Sequence, residues 1–407
     1  MNRRDFLRLS AGATLLPFGP AAWAATAEGG PKRLIVIFLR GAVDGLNVVV
    51  PHAERTYYEV RATIAIGAPG TEQGALPLDG RFGLHPALAG LLPLWNDRKL
   101  AFVHAAGSPD ATRSHFDAQV FIENGTPGDS TTRDGWMNRL LAALPEPHGP
   151  TDAVSVGPTL PQILRGSLPV ANMPLGPEAA RLMPLDRPEI SRAFDRLYAG
   201  SDPLSEAYRQ ARATRAELLG DLASEMRQAD NGAPPANGFP LEAARLAHLI
   251  RRDRNIRLAF ASLGGWDTHV DQGKAKGQLA NRLQPLGNGL AGLAKGLGTD
   301  WDDTIVVVIS EFGRTVHENG NGGTDHGHGN VIWVLGGSVR GGRVYGDWPG
   351  LAKAQLYQGR DLAVTTDYRT VFAAILERHL GLADHQLGQI FPGLPPARSN
   401  LAEMLAA

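Results

Sequence analysis

Apolar and polar positions alternate along this chain in blocks that read as strands and helices. Residues 33–39 (RLIVIFL) form a nearly unbroken apolar run of strand length, as expected of a strand buried on both faces of a parallel sheet. Residues 100–105, 256–262, 304–309 and 331–335 repeat the pattern, and 304–309 (TIVVVI) is the clearest of them. Helical periodicity marks 85–96, with Pro86 suited to its first turn, then 114–124, 241–252, 278–297 and 367–379. Thr366 is the expected cap of the last helix and Gly381 its stop. Strands alternating with helices predict an α/β fold: a doubly wound, mostly parallel sheet with helices on both faces. Residues 188–231 are charged and helix-periodic, and a Gly/Pro/Asn-rich break at 232–240 separates them from the next helix. A helical insertion at about 188–252 is expected within a single domain spanning 25–407.

The first residues read as an address. Arg3-Arg4, an apolar run from Ala11 to Phe18 and Ala22-Trp23-Ala24 resemble a twin-arginine export signal cleaved after residue 24. The run is too short and too broken by Gly and Pro for a membrane span. The expected location is periplasmic or extracellular, with the twin-arginine machinery as a partner. Losing the leader shifts the net charge from −1 to −3. So balanced a charge disfavours a nucleic-acid binder. Cysteine is absent from all 407 residues, which excludes disulfides, thiolate zinc sites and cysteine nucleophiles.

Four loops at or near strand ends carry metal-type ligands. Asp44 lies in Arg40-Gly41-Ala42-Val43-Asp44-Gly45. Arg113, Ser114, His115 and Asp117 open the 114–124 helix. Asp267 and His269 follow a strand at a spacing of two, which lets both side chains point the same way. Glu311 begins a glycine-rich stretch that contains Asp325, His326 and His328. Carboxylate and imidazole together suit zinc, manganese or iron. Ser114 fits two roles: an ordinary N-cap, or a nucleophile at a helix N-terminus where anions are stabilised. His85 reads as a helix-entry residue, and His104 as a core histidine. No Gly-x-Ser-x-Gly elbow supports an α/β-hydrolase.

Taken in order, the segments Phe38–Asn47, Gly83–Leu88, Ser114–Gln119, Gly265–His269, Ser310–Thr315 and Thr324–Asn330 resemble an exported bacterial family, domain of unknown function 1501. That family is similar to the alkaline phosphatase and sulfatase superfamily. The resemblance implies metal ligands at Asp44, Asp267, His269, Glu311 and His326 or His328, with Ser114 as nucleophile and Arg113, Arg40 or Arg314 on the ester oxygens. It implies one or two divalent ions, zinc or manganese, and hydrolysis of phosphate or sulfate esters. One departure stands out: the superfamily has Asp-His where this chain has Glu311-Phe312, and phenylalanine binds no metal. His115, Asp325 or the second late histidine would have to replace that ligand. The departure keeps two other readings open: a non-catalytic exported binding or assembly protein on a degenerate phosphatase-like fold and, from the export route alone, a metal-dependent oxidoreductase.

Overall fold

The computed structural model of the chain describes residues 30–157, 159–173, 192, 195–206, 238–396 and 399–406. The apolar runs become strands β1 (Arg33–Leu39), β2 (Leu100–Gly107), β5 (Leu258–Leu263), β6 (Thr304–Ser310) and β7 (Asn330–Gly336). Short strands β3 (Ala153–Val156), β4 (Ala171–Met173), β8 (Arg343–Tyr345) and β9 (Thr366–Asp367) join them. All nine lie in one sheet of order β8-β2-β7-β6-β1-β5-β3-β4, with β9 beside β2. Every described pairing in it is parallel except the two made by β7, which runs antiparallel to both β2 and β6.

The unbroken apolar runs have a direct physical cause. Along β1, Ile35, Ile37 and Leu39 belong to the core on one face, and Leu34, Val36 and Phe38 to the core on the other. Each such side chain fully buried contributes about 1.5–3 kcal/mol. One face is covered by α3 (Phe239–Arg252) and α4 (Gln278–Leu297). The other is covered by α2 (Trp136–Ala143) and α5 (Tyr368–Leu380). A fifth helix, α1 (His115–Asn124), follows β2. These elements all belong to one unit that begins at Pro31.

Some expectations shift in detail. Residues 86–96 form a 3₁₀ turn (Pro86–Leu91) running into a short α-helix (Leu92–Asn96), and His85 caps it by accepting the Ala87 N–H. The cap of α5 is Asp367, which accepts the Arg369 N–H, while Thr366 belongs to β9; Gly381 ends the helix in the left-handed conformation as expected. The leader at 1–24 lies outside the described residues, and so does most of the 188–252 segment, of which 192, 195–206 and 238–252, the stretch that holds α3, are described. Among the described residues no helix is long and apolar enough to cross a membrane.

The antiparallel β7 decides where the chemistry goes. Because β7 starts at the edge where β6 ends, the whole of 311–329 stays on the edge that carries the C-terminal ends of β1, β2 and β5. Asp44, His115, Asp267, His269, Glu311 and His326 all occupy loops or helix starts on this edge, where sites in open α/β sheets are built.

Candidate metal centre

His115 is the first residue of α1, carried by the connection out of β2. Asp267 and His269 lie beyond β5, and His326 precedes β7. Donor atoms of His115, Asp267 and His326 fall within 4.8 Å of one another, a group able to hold a metal ion. His115 Nε2 is 2.9 Å from His326 Nε2 and 3.7 Å from Asp267 Oδ2. His269 adjoins the group, with its Nε2 3.0 Å from His326 Nε2 and 2.8 Å from Asp267 Oδ1.

The other nitrogen of each ring explains why these atoms face one another. His115 Nδ1 lies 2.8 Å from Glu311 Oε1, His269 Nδ1 lies 3.2 Å from Asp325 Oδ1, and His326 Nδ1 lies 2.9 Å from the Arg113 carbonyl. Carboxylates and carbonyls only accept, so in neutral His115 and His326 rings Nδ1 carries the proton and Nε2 presents a lone pair, while His269 has a carboxylate oxygen at each nitrogen. The His115 and His326 lone pairs, 2.9 Å apart, repel unless a cation, proton or metal, lies between them. Metal-ligating histidines show this same outer arrangement, with the remote N–H held by a carboxylate or a carbonyl. Two imidazoles and one carboxylate, with the His269 imidazole beside them, are a donor set that fits a divalent transition metal.

Electrostatics act on Asp267, Glu311 and His326. Burial opposes charge on Asp267, but the Arg314 guanidinium, 2.5 Å away, outweighs it and holds the carboxyl below its ordinary range. Burial likewise opposes charge on Glu311. Hydrogen bonds from His115, the Gln119 amide and the Gly41 N–H reverse this and keep it an anion. Burial lowers the His326 pKa, which keeps its Nε2 lone pair free.

The remaining residues read as ligands from the sequence are placed differently. Asp44 is fully buried, and its Oδ2 accepts from Arg61 Nη1 at 2.6 Å and Gln272 Nε2 at 2.7 Å. It is the counter-ion of Arg61 and gives no atom to the group. Glu311 orients His115 rather than standing among the Nε2 donors. Phe312, the departure from the superfamily pattern, is an apolar wall that stacks on His115 with ring centroids 4.9 Å apart and packs against His326 at 5.2 Å. His328 turns to Tyr357, with centroids at 4.5 Å.

Ser114 caps α1, with its Oγ accepting the Asp117 N–H over a long 3.4 Å. Arg113 directs its guanidinium to Asp361 at 2.6 Å and Gln358 at 2.9 Å, and only its carbonyl serves the centre. Arg40 is held by Glu123 and Gln119. Arg314 is buried against the Gly41, Ala42, Trp266 and Thr324 carbonyls as well as Asp267. Gly41 permits this crowding: its φ is +111°, and a Cβ there would stand 2.8 Å from the Asp267 backbone nitrogen.

The sequence placed His115 among the metal-type residues of the four loops but in the ligand set only as a replacement, and it gave no sign of Asp325 as the partner of His269. A histidine at the first position of a helix that follows a buried strand, three residues before Ala118-Gln119, was the available signal. Nothing local marks Asp325 as facing His269, 56 residues away.

No curated protein matches the sequence. Among solved structures the chain is similar to the C-terminal periplasmic domain of EcEptC from Escherichia coli in complex with Zn. The two share 11% identity and a TM-score of 0.36 over 76% of this chain and 73% of that one. It is also similar to Ps i-CgsB in complex with k-i-k-neocarrahexaose, at 10% identity and a TM-score of 0.38 over 88% of this chain and 74% of that one. A family model matches residues 101–391, a span that holds His115, Asp267, His269, Glu311 and His326. The chain thus belongs to the family described as "Protein of unknown function (DUF1501)".

Proposed function

We propose that this protein is an exported, metal-dependent hydrolase of phosphate or sulfate esters. One observation carries the metal part: three histidines with acceptor-held Nδ1 atoms bring their Nε2 atoms together beside Asp267. His115, Asp267, His269 and His326 would hold one zinc or manganese ion. When bound, the ion supplies Lewis acidity, stabilising negative charge on an ester oxygen and lowering the pKa of a nearby hydroxyl. Ser114, adjacent to His115, is the nucleophile: its Oγ bonds to phosphorus or sulfur as the bond to the leaving ester oxygen breaks. That oxygen takes up a proton as the hydroxyl loses one to water, and water then cleaves the seryl ester to release phosphate or sulfate. The present hydrogen bond of the Ser114 Oγ is weak enough to give up. The N–H groups of the first turn of α1 face an anion favourably. The ester class rests on the resemblance of the ordered motifs. Export rests on Arg3-Arg4 and the cleavage pattern at 22–24, leaving 25–407 as one domain with its helical insertion.

A second reading is a non-catalytic exported binding or assembly protein. What favours it is that Arg40, Arg113 and Arg314 are each engaged with carboxylates or carbonyls of the chain itself, so none of the three is free to clamp an anionic ester.

Metal analysis of mature protein beside an Asp267→Ala/His269→Ala variant, followed by turnover of aryl phosphates and sulfates, separates the readings. The hydrolase reading expects about one equivalent of metal, lost in the double variant. It also expects turnover that Ser114→Ala abolishes while metal stays bound and stability falls by only about 0.5–1 kcal/mol, the value of a weak cap. Metal without turnover on any ester favours the binding protein. Folded protein that takes up no metal overturns the centre itself.

A further inference from the structure

Behind the metal centre lies a buried polar network that is costly to keep. Asp44 and Arg61 form an ion pair whose side chains are 1% and 0% exposed. Arg61 engages each of its three nitrogens and four of its five N–H donors: Nη1 also meets Asn47 Oδ1 at 2.9 Å, Nε meets the Val316 carbonyl at 2.8 Å, and Nη2 the Thr315 carbonyl at 2.8 Å. Asp44 is less well satisfied, because its Oδ1 is buried with no hydrogen-bond partner. Taking two charges out of water and leaving an oxygen unpaired adds little net stability. The return on this arrangement lies in what the pair holds.

What it holds is Gln272. The Gln272 Nε2 donates to Asp44 Oδ2 at 2.7 Å, which fixes the orientation of the amide. Its Oε1 then accepts from the Thr268 hydroxyl at 2.7 Å and the Thr324 hydroxyl at 3.2 Å. Thr268 stands between Asp267 and His269 and is buried, while its two neighbours present atoms to the centre. Thr324 precedes Asp325 and His326. The Gln272 N–H donates to the Gly322 carbonyl, and the Thr324 N–H to the Thr268 carbonyl. One carboxamide therefore ties together the two segments that carry Asp267, His269, His326 and the orienting Asp325.

We infer that Gln272, anchored by the buried Asp44–Arg61 pair, is a positioning residue that sets the spacing of the 267–269 and 324–326 segments for metal binding. The inference rests on the metal reading of the previous section. It also accounts for Asp44, the acid at the end of β1: it acts on the centre through Gln272 and not as a ligand. No charged side chain could replace the amide, because the position requires a donor toward a carboxylate and an acceptor toward two hydroxyls.

The test uses the mature protein and Thr268→Val, Thr268→Ser and Gln272→Glu variants. Zinc affinity is measured by competition with a chelator, the visible spectrum after cobalt substitution is recorded, and thermal unfolding is followed without metal. Thr268→Val removes only the hydroxyl and should weaken zinc binding about tenfold and alter the cobalt spectrum, whereas Thr268→Ser restores both. Gln272→Glu sets a second carboxylate against Asp44 and should weaken zinc binding ten- to a hundredfold. Should Gln272→Glu fail to fold, the two Thr268 variants carry the test. Variants that unfold at lower temperature yet keep wild-type zinc affinity and spectrum overturn the inference alone. Wild-type protein that binds no zinc overturns the metal reading and this inference with it.

Discussion

Glu311→Gln isolates the contribution of one buried charge to the candidate metal centre. Glu311 Oε1 accepts from His115 Nδ1 and the Gly41 N–H, both at 2.8 Å, and from Gln119 Nε2 at 3.0 Å. Its Oε2 faces Ser310 Oγ at 2.9 Å, and that hydroxyl also lies 2.5 Å from the Leu39 carbonyl. A hydroxyl has one proton, so in the variant Ser310 can give it to Leu39 and accept from the new amide group. The glutamine oxygen keeps the other three donors. Ser310 satisfies one of the two new amide N–H groups and the second is left without an acceptor, so the expected folding cost is about 1–3 kcal/mol at neutral pH. What disappears is the negative charge that polarises His115. Loss of such an outer partner weakens metal binding ten- to a hundredfold, or about 1.4–2.7 kcal/mol. The assay is chelator competition with zinc, alongside denaturant unfolding of metal-free protein. The native state holds the Glu311 pKa below its ordinary value, so its stabilisation is present above the unfolded pKa and fades as the pH falls through the lower folded one. The variant should lack that acid-side slope. Unchanged zinc affinity in a folded variant would refute the assignment of Glu311 as the group that orients His115.

Two further outcomes follow from burial. His85, His104 and His379 are held to pKa values of about 4 by burial, each ring bonding a backbone carbonyl through Nε2. Each lies below its unfolded value near 6.5, so the stability they confer is complete above pH 6.5 and is lost as the pH falls toward 4. The effect is on the order of 3 kcal/mol per ring. Denaturant unfolding of metal-free protein between pH 4 and 7 should show this slope and His104→Gln should reduce it; a flat wild-type profile would contradict it. Phe116, 85% exposed beside His115, packs too little to matter for folding. Phe116→Ala should leave the unfolding temperature unchanged and, if the ring meets substrate, raise KM with little effect on kcat.

The sequence by itself determined the sheet. A strand buried on both faces must be apolar at every position, which is why 33–39, 100–105 and 304–309 were legible without any partner in view. Helix ends were nearly as plain, since Ser114 and Gly381 carry the local chemistry of a cap and a stop. His104 and His85 also took the places their neighbours suggest, one in the core and one at a helix start. Strands β3 and β4 escaped notice because three or four residues show no period. The antiparallel course of β7 was hidden too, because a buried run looks alike in either direction. The candidate centre was half legible. Asp267, His269 and His326 declared themselves as metal-type residues in strand-end loops, but which of the acids would join them did not. Asp44 and Glu311 are both acids at strand ends, yet one meets Arg61 and Gln272 and the other meets His115. Those partners stand 17, 228 and 196 residues away in sequence. Local pattern dictates which backbone a segment adopts; whether a carboxylate there faces a cation, an amide or an imidazole depends on the segments packed against it, and only the tertiary structure decides that.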